Sequence, residues 1–250
     1  MTGRLRAAAK EFIAGALRRR GYAIRRLQDE RTSLDASEGL FRYLRSAGPM
    51  RCVIDIGAND GAFLEFLQRF FKAEQCLAFE PLPAARAELE RRGIPGLTLF
   101  PYALSDRPGH ASFEVNAYGP SSSLLPVAAL SSAEFPQTSR IAERIEVELA
   151  RLDDVVDAEA LPDGVFLKMD VQGVEDRVIA GGPRVLSRAD FVMVEMSFRR
   201  LYEEQALFEE VHAPLADLGF RLAGVKNQLS AASGEPLFGH FLYRAERRAG

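Results

Sequence analysis

The stretch Val53-Ile54-Asp55-Ile56-Gly57-Ala58-Asn59-Asp60-Gly61 decides how this chain folds. Cys52 to Ile56 is a short β-branched run, suited to a strand buried on both faces. Asn59-Asp60-Gly61 then offers a turn and a helix N-cap. Phe63, Leu64, Phe66, Leu67, Phe70 and Phe71 follow at helical spacing. A buried strand, a glycine turn and a helix in that order open a parallel α/β unit.

The rhythm continues on both sides. Upstream, Glu38–Ser46 reads as a helix ended by Gly48-Pro49. Downstream come a strand at Cys76–Phe79, a helix at Ala84–Arg92 stopped by Gly93, and a strand at Leu97–Phe100. After residue 164 it resumes with strand Val165–Asp170, helix Val174–Gly181, strand Phe191–Glu195 and helix Gln205–Leu218. Phe220–Lys226 and Leu237–Arg244 form a closing hairpin. Alternating strands and helices predict a doubly wound, mostly parallel α/β sheet. The middle differs: His110–Asn116 and Arg144–Leu149 alternate apolar and polar residues, as half-exposed strands do. Between them, about 117–139, lies a loop rich in Ser, Pro and Gly. Loops that long are usually functional or disordered. The expected organisation is a basic helical arm and linker at 1–48 and an α/β domain at 49–250. Its β insertion, 110–150, supplies the acceptor-site loop.

The charge is unevenly placed. Residues 1–26 carry eight Arg and Lys against Glu11 alone, so the arm is +7 and the other 224 residues carry −10 of the net −3. Leu5, Ala9, Phe12, Ile13, Ala16 and Leu17 share one helical face. Two readings of the arm stay open: a reversible dock on an anionic membrane surface or partner protein, and a solvated helix packed on the body. Its apolar stretch is too short for a secretory signal. The near-balanced total argues against a nucleic-acid partner. Two cysteines without a C-x-x-C pair exclude a disulfide scaffold and a structural zinc, and Cys52 and Cys76 read as buried small hydrophobes. No stretch approaches the ~18 apolar residues of a membrane span, so a cytoplasmic protein is expected, with any peripheral membrane contact left to the arm.

Open α/β sheets bind ligands at the carboxyl ends of their strands. Here an acid stands at or just beyond each of five strands: Asp55, Glu80, Asp106, Asp170 and Glu195. The first loop is neither Gly-x-Gly-x-x-Gly nor a Walker cradle. With Asp55 before it and Asp60 within it, the loop is poorly disposed towards a diphosphate. It suits a ligand with an ammonium, a positive centre and no phosphate, and S-adenosylmethionine is such a ligand. The ligand's carboxylate can face the helix N-terminus. Glu80, 25 residues after Asp55, is placed to take both ribose hydroxyls.

Five segments carry a resemblance: Val53 to Gly61, Phe79-Glu80-Pro81, Ala103-Leu104-Ser105-Asp106, Arg151-Leu152-Asp153-Asp154, and Leu167-Lys168-Met169-Asp170-Val171-Gln172-Gly173-Val174-Glu175. In order and spacing they resemble the FkbM-type S-adenosylmethionine-dependent methyltransferases, over roughly residues 50–225. The resemblance implies a class I methyltransferase (Rossmann-like) fold with a seven-stranded sheet, the last strand antiparallel. It also implies O-methylation of a hydroxyl, often on sugars, glycolipids or secondary metabolites. By position, Asp55, Gly57, Asn59 and Gly61 would line the methionine end of the donor, and Glu80 would hold its ribose. Ala103, Leu104 and Asp106 would flank the adenine, and Asp170 would lie beside the transferring methyl. The usual family pattern has Glu where this chain has Gln172, so no proton-transfer or metal role is given to Gln172.

A hydroxyl is a poor nucleophile and gains from a nearby base. Asp170 is the first candidate, with Lys168 on the same strand face to pair with it or steer the acceptor. Glu195 is the second carboxylate and His110 an outsider, while His212 and His240 read as ordinary core-edge or surface residues. Strand-end acids also cap helices. Asp170 and Glu195 are compatible with a divalent metal, but no tight ligand cluster calls for one, and none is expected. Gly119-Pro120-Ser121-Ser122-Ser123-Leu124 reads as a flexible, hydroxyl-rich lid over a small-molecule or glycan acceptor. A nucleic-acid methyltransferase would carry an Asn/Asp-Pro-Pro-aromatic box or a Pro-Cys nucleophile, and neither is present. A dehydrogenase would carry the diphosphate fingerprint. A non-catalytic donor-binding scaffold stays open, and behind it a methyltransferase acting on nucleic acid or protein.

Overall fold

The computed structural model describes residues 38–246. The basic arm, and with it the choice between docking and packing, lies outside the described residues.

Helix α1 (Glu38–Ser46) leads into strand β1 (Cys52–Ile56), helix α2 (Ala62–Phe71), strand β2 (Gln75–Phe79), helix α3 (Pro83–Arg91) and strand β3 (Leu97–Phe100). After the insertion come strand β7 (Val165–Met169), helices α6 (Glu175–Gly181) and α7 (Pro183–Leu186), and strand β8 (Phe191–Ser197). Helix α8 (Phe208–Asp217) and strands β9 (Phe220–Ser230) and β10 (Pro236–Ala245) close the chain. The seven strands lie in the order β3-β2-β1-β7-β8-β10-β9, with β10 antiparallel to both neighbours and the first five parallel. This is the doubly wound seven-stranded sheet expected. The α8 helix begins three residues later than the sequence pattern proposed. Gln205 is committed to the preceding turn, where its Oε1 accepts from the Leu201 and Tyr202 N–H groups.

Period-two alternation decides which side of the sheet each residue serves. Cys52, Ile54 and Ile56 face one layer, packed with Val178, Val185, Val211 and Leu215 from α6, α7 and α8. Val53 faces the other layer, with Leu44, Leu64, Leu67 and Leu89 from α1, α2 and α3. Asp55 shares parity with Val53 and so points under the α2 side with no exposed surface. Its register partner on β7 is Lys168. The Cys52 and Cys76 thiols are free and buried, and burial pushes them up to about 12 and about 11.

The insertion is a three-stranded sheet of β4 (Ala103–Leu104), β5 (Gly109–Asn116) and β6 (Ile141–Ala150), in the order β4-β6-β5. Its connecting segment holds helix α4 (Ala129–Glu134) and two single 3₁₀ turns, and the short helix α5 (Leu152–Val155) follows β6. Leu125 and Phe135 pack it against Val174, Leu201, Tyr202 and Leu237, over the carboxyl ends of the main strands. Two of the expected lid serines spend their hydroxyls on backbone groups. Ser122 Oγ donates to Gly119 O and accepts from Asn116 N. Ser123 Oγ donates to Gln172 O and accepts from Leu125 N. Ser123 staples the insertion to the loop after β7 and Ser122 is spent within the insertion, while Ser121 lines the second cavity.

Candidate functional site

The strand order reverses between β1 and β7, and there the two loops meet. Gly57 has φ +76°, and a Cβ on it would lie 2.0 Å from the Asp170 carbonyl oxygen. Only glycine lets the two strand ends approach so closely. Lys168 pins the junction from beneath: its Nζ lies 3.0 Å from Asp55 Oδ1, donates to Gly57 O at 2.8 Å, and sits 3.9 Å from Asp170 Oδ2. Burial works against its charge, but Asp55 and Asp170 outweigh burial and hold the ammonium above its usual range.

On one side of this junction is a cavity of about 580 Å³, counted to its open mouth. Gly57, Asn59 and Glu80 form its polar end, and Leu82, Tyr102, Ala103, Leu104 and Phe113 its apolar walls. The buried Glu80 carboxylate accepts the Asn59 N–H at 2.8 Å on Oε2 and the Leu82 N–H at 2.9 Å on Oε1. Burial pushes this carboxyl up, against the two N–H bonds and Lys168. Each oxygen keeps a further lone pair for a ligand hydroxyl. Among the described residues no Lys or Arg lines this cavity, while Glu80 and Asp170 do. Two carboxylates without a cation fit a sulfonium nucleoside and do not fit a diphosphate.

On the other side is a larger, more open cavity of about 1110 Å³. The insertion contributes Tyr118, Ser121, Phe135 and Thr138, and the late strands contribute Glu195, Asn227, Leu229, Phe238 and His240. Pro120, Asp170 and Gln172 line both cavities. Gln172, itself at φ +57°, directs Nε2 to Asp170 Oδ1 at 2.6 Å and to Glu195 Oε1 at 2.9 Å. Its Oε1 accepts from the Tyr202 hydroxyl at 2.6 Å, so the tyrosine fixes which end of the amide faces the carboxylates. Burial, then Asp170 and Glu175, push the Glu195 carboxyl well above the usual range, against the Gln172 bond. Burial pushes Glu175 up to about 7, although its carboxylate accepts from the Val171 and Gly173 N–H groups.

The residues singled out in the sequence divide accordingly. Gly57, Asn59, Glu80, Ala103, Leu104 and Asp170 line the first cavity, and Glu195 lines the second. Asp55 and Lys168 line neither; they brace the loop from the buried side, so Lys168 cannot steer an acceptor by contact. Gly61 also stands behind the wall, at the start of α2, where a Cβ would meet Leu89 Cγ at 2.7 Å. Asp106 is exposed and accepts from Ser105 Oγ, away from the adenine wall it was expected to flank. His110 lies exposed on β5, and His212 stacks on Phe208 and meets the Tyr243 hydroxyl at 2.8 Å. His240 was read as ordinary yet lines the second cavity, with Nε2 3.6 Å from Glu195 Oε2. The sequence also passed over Tyr102, Phe113, Tyr202 and the bridging use of Gln172. Of these only Gln172 gave a signal, as the departure from the resembled pattern.

A family model describing the methyltransferase FkbM domain matches residues 55–222. The chain is 35% identical over 185 residues to the 2-O-methyltransferase NoeI of Sinorhizobium fredii (strain NBRC 101917 / NGR234), covering 70% of this chain and 74% of that one. It is 28% identical over 220 residues to the 31-O-demethyl-FK506 methyltransferase FkbM of Streptomyces tacrolimicus, covering 76% and 82%. Among solved structures, methyltransferase FkbM from Methylobacillus flagellatus KT aligns at 15% identity with a TM-score of 0.49, over 77% of this chain and 43% of that longer one. The matched region runs from the Asp55 loop through the first cavity and part of the second to the start of β9, and the chain belongs to the FkbM family of S-adenosylmethionine-dependent methyltransferases.

Proposed function

We propose that this methyltransferase acts on a hydroxyl of an uncharged, polyhydroxylated small molecule: a sugar, a glycolipid headgroup or a hydroxylated secondary metabolite. The observation that carries the reading is the meeting of two cavities at Asp170 and Gln172. The second of them is lined by aromatic, hydroxyl and amide side chains without a Lys or Arg among the described residues. Such a wall stacks against the apolar face of a sugar ring and hydrogen-bonds its hydroxyls, and it offers nothing to a phosphate backbone. A relative described as a 2-O-methyltransferase supports oxygen as the acceptor atom.

S-adenosylmethionine, when bound in the first cavity, supplies an electrophilic methyl group on a sulfonium. The chain's own residues do the rest. Glu80 takes the ribose hydroxyls, and Gly57 and Asn59 keep the backbone low enough for close approach. Tyr102 and Leu104 give the base an apolar wall. Tyr118, Phe135 and Phe238 hold the acceptor so that one hydroxyl points at the shared wall, and this positioning provides much of the acceleration. Asp170 and Glu195, held side by side by the Gln172 amide, receive the hydroxyl proton.

The test is a methyl-transfer panel with labelled donor and purified full-length chain. Label is expected in neutral glycans or polyols and absent from RNA, DNA and phosphorylated sugars. Label in nucleic acid or protein overturns the acceptor class. Donor-product binding with no transfer to any member gives the non-catalytic scaffold the stronger claim.

A further inference from the structure

Asp170 follows β7, Glu195 lies in β8 and His240 in β10, three neighbouring strands of the sheet. His240 and Glu195 are register partners, so their side chains emerge on the same face. One ligand atom from each of the three residues lies within 4.8 Å of the other two. The Gln172 amide occupies Asp170 Oδ1 and Glu195 Oε1, which leaves one oxygen of each carboxylate for another partner. Glu195 Oε2 stands 3.6 Å from His240 Nε2. That is too long for a hydrogen bond. It is also the spacing of two ligands held about 2.1–2.2 Å from one ion at a roughly tetrahedral angle.

A second observation points the same way. Neither nitrogen of the His240 ring makes a hydrogen bond within the described residues, and Nδ1 is buried without a partner. Nε2 is the nitrogen that faces Glu195, so an ion there would give it the partner that the fold does not supply; the buried Nδ1 takes no part in this. The surrounding charge is mixed: Lys168 is engaged by Asp55, and the buried Lys226 is the register partner of His240 on β9.

We propose that Asp170, Glu195 and His240 form a divalent-cation site in the wall of the second cavity, and that the ion held there binds the acceptor hydroxyl. The proposal rests on reading that cavity as the acceptor site. Two carboxylates with one imidazole favour a first-row ion such as Mn2+, Fe2+ or Zn2+ over Mg2+ or Ca2+, which prefer all-oxygen shells. Three protein ligands leave positions open towards the cavity, as sites that bind substrate do. Gln172, oriented by Tyr202, serves as the outer partner that aims both carboxylates. An ion there acidifies the bound hydroxyl: the O–H bond breaks, both electrons stay on oxygen, and the proton passes to cavity water. Without the ion the same proton falls to the carboxylate pair, the slower route.

The experiment is a titration of the metal-free full chain with Mn2+, followed by calorimetry and electron paramagnetic resonance, with no donor or acceptor present. One ion per chain is expected, with a spin-echo nitrogen coupling from imidazole. Glu195→Gln and His240→Ala should each weaken Mn2+ by about tenfold or more. The nitrogen coupling should vanish in His240→Ala, and S-adenosylhomocysteine affinity should persist in both. His240→Asn replaces His240→Ala should the latter fail to fold. Wild-type chain that binds S-adenosylhomocysteine but no Mn2+ or Zn2+ overturns the cation site and leaves the methyltransferase standing. Variants that keep wild-type Mn2+ affinity overturn it equally, because the ion then sits elsewhere. Loss of the acceptor reading would show separately, in the methyl-transfer panel.

Discussion

Glu80→Gln is the substitution that isolates the donor site with the least change of shape. The Glu80 oxygens each accept one backbone N–H, from Asn59 at 2.8 Å and from Leu82 at 2.9 Å. A glutamine has one acceptor oxygen and turns an NH2 group towards the other N–H. One buried donor then loses its partner, at about 1–3 kcal/mol. On the ligand side the two bonds to ribose hydroxyls lose their charge assistance, roughly half their strength. A fall from about 2 to about 1 kcal/mol for each of two bonds lowers S-adenosylhomocysteine affinity about thirtyfold. Glu80→Ala, which removes both acceptors, should abolish measurable binding. Titration calorimetry reads both variants, and thermal unfolding of the unliganded protein separates a lost contact from a lost fold. A folded Glu80→Gln protein that binds within about threefold of wild type, some 0.7 kcal/mol, would refute the assignment of the ribose to Glu80.

Gly57→Ala places a methyl group 2.0 Å from the Asp170 carbonyl oxygen and adds about 1–2 kcal/mol of left-handed backbone strain. Its melting temperature and donor-product affinity should both fall, and wild-type values for both would show that the two loops do not need this contact. Glu175 titrates at about 7 when folded against 4.5 in its free state, so the folded chain holds that proton more tightly. Its contribution to stability is therefore lost as pH rises from 4.5 to about 7, by on the order of 3 kcal/mol. Urea unfolding at pH 5 and pH 8 should show Glu175→Gln losing less stability than wild type across that window; parallel losses would contradict the buried, Asp170- and Glu195-facing placement of the carboxyl. Tyr202→Phe removes the hydroxyl 2.6 Å from Gln172 Oε1 and should cost about 1–2 kcal/mol in urea unfolding while donor-product affinity holds. Unchanged stability would mean that the tyrosine does not orient the amide.

How much of this was readable in the sequence follows from how far apart the cooperating residues lie along the chain. The β1 loop and Glu80 come from consecutive strand ends, and local signals locate them: a β-branched run, two glycines, an acid at the next strand end. Asp55 takes its place from parity as much as from position. Val53 and Asp55 alternate with Ile54 and Ile56, and the helix after the loop must cover one of those faces. Counting by two puts Asp55 beneath α2 with Lys168, behind the cavity. Asp106 follows β4, which pairs with β6 in the insertion rather than with the main sheet; the backbone there lies against Gly181 of α6 and the Asp106 side chain faces out.

The second cavity is a different problem. Its wall joins residues 118–138 to Glu195, Tyr202, Asn227 and His240, and no window of sequence holds more than a fragment of it. A Ser-rich loop and a Ser-rich staple have the same composition, and only the partners tell Ser123, bonded to Gln172 O, from Ser121, which lines the second cavity. His240 looked ordinary because a lone histidine in a strand acquires meaning from the strand beside it, and β10 reaches β8 by pairing between the two in antiparallel sense. The first cavity is built where loops distant in sequence meet at one glycine. The second is assembled by sheet order, and the Gln172 amide joins Glu195 on β8 to Asp170 in the wall of both, so a change at Glu195 reaches the β7 loop as well.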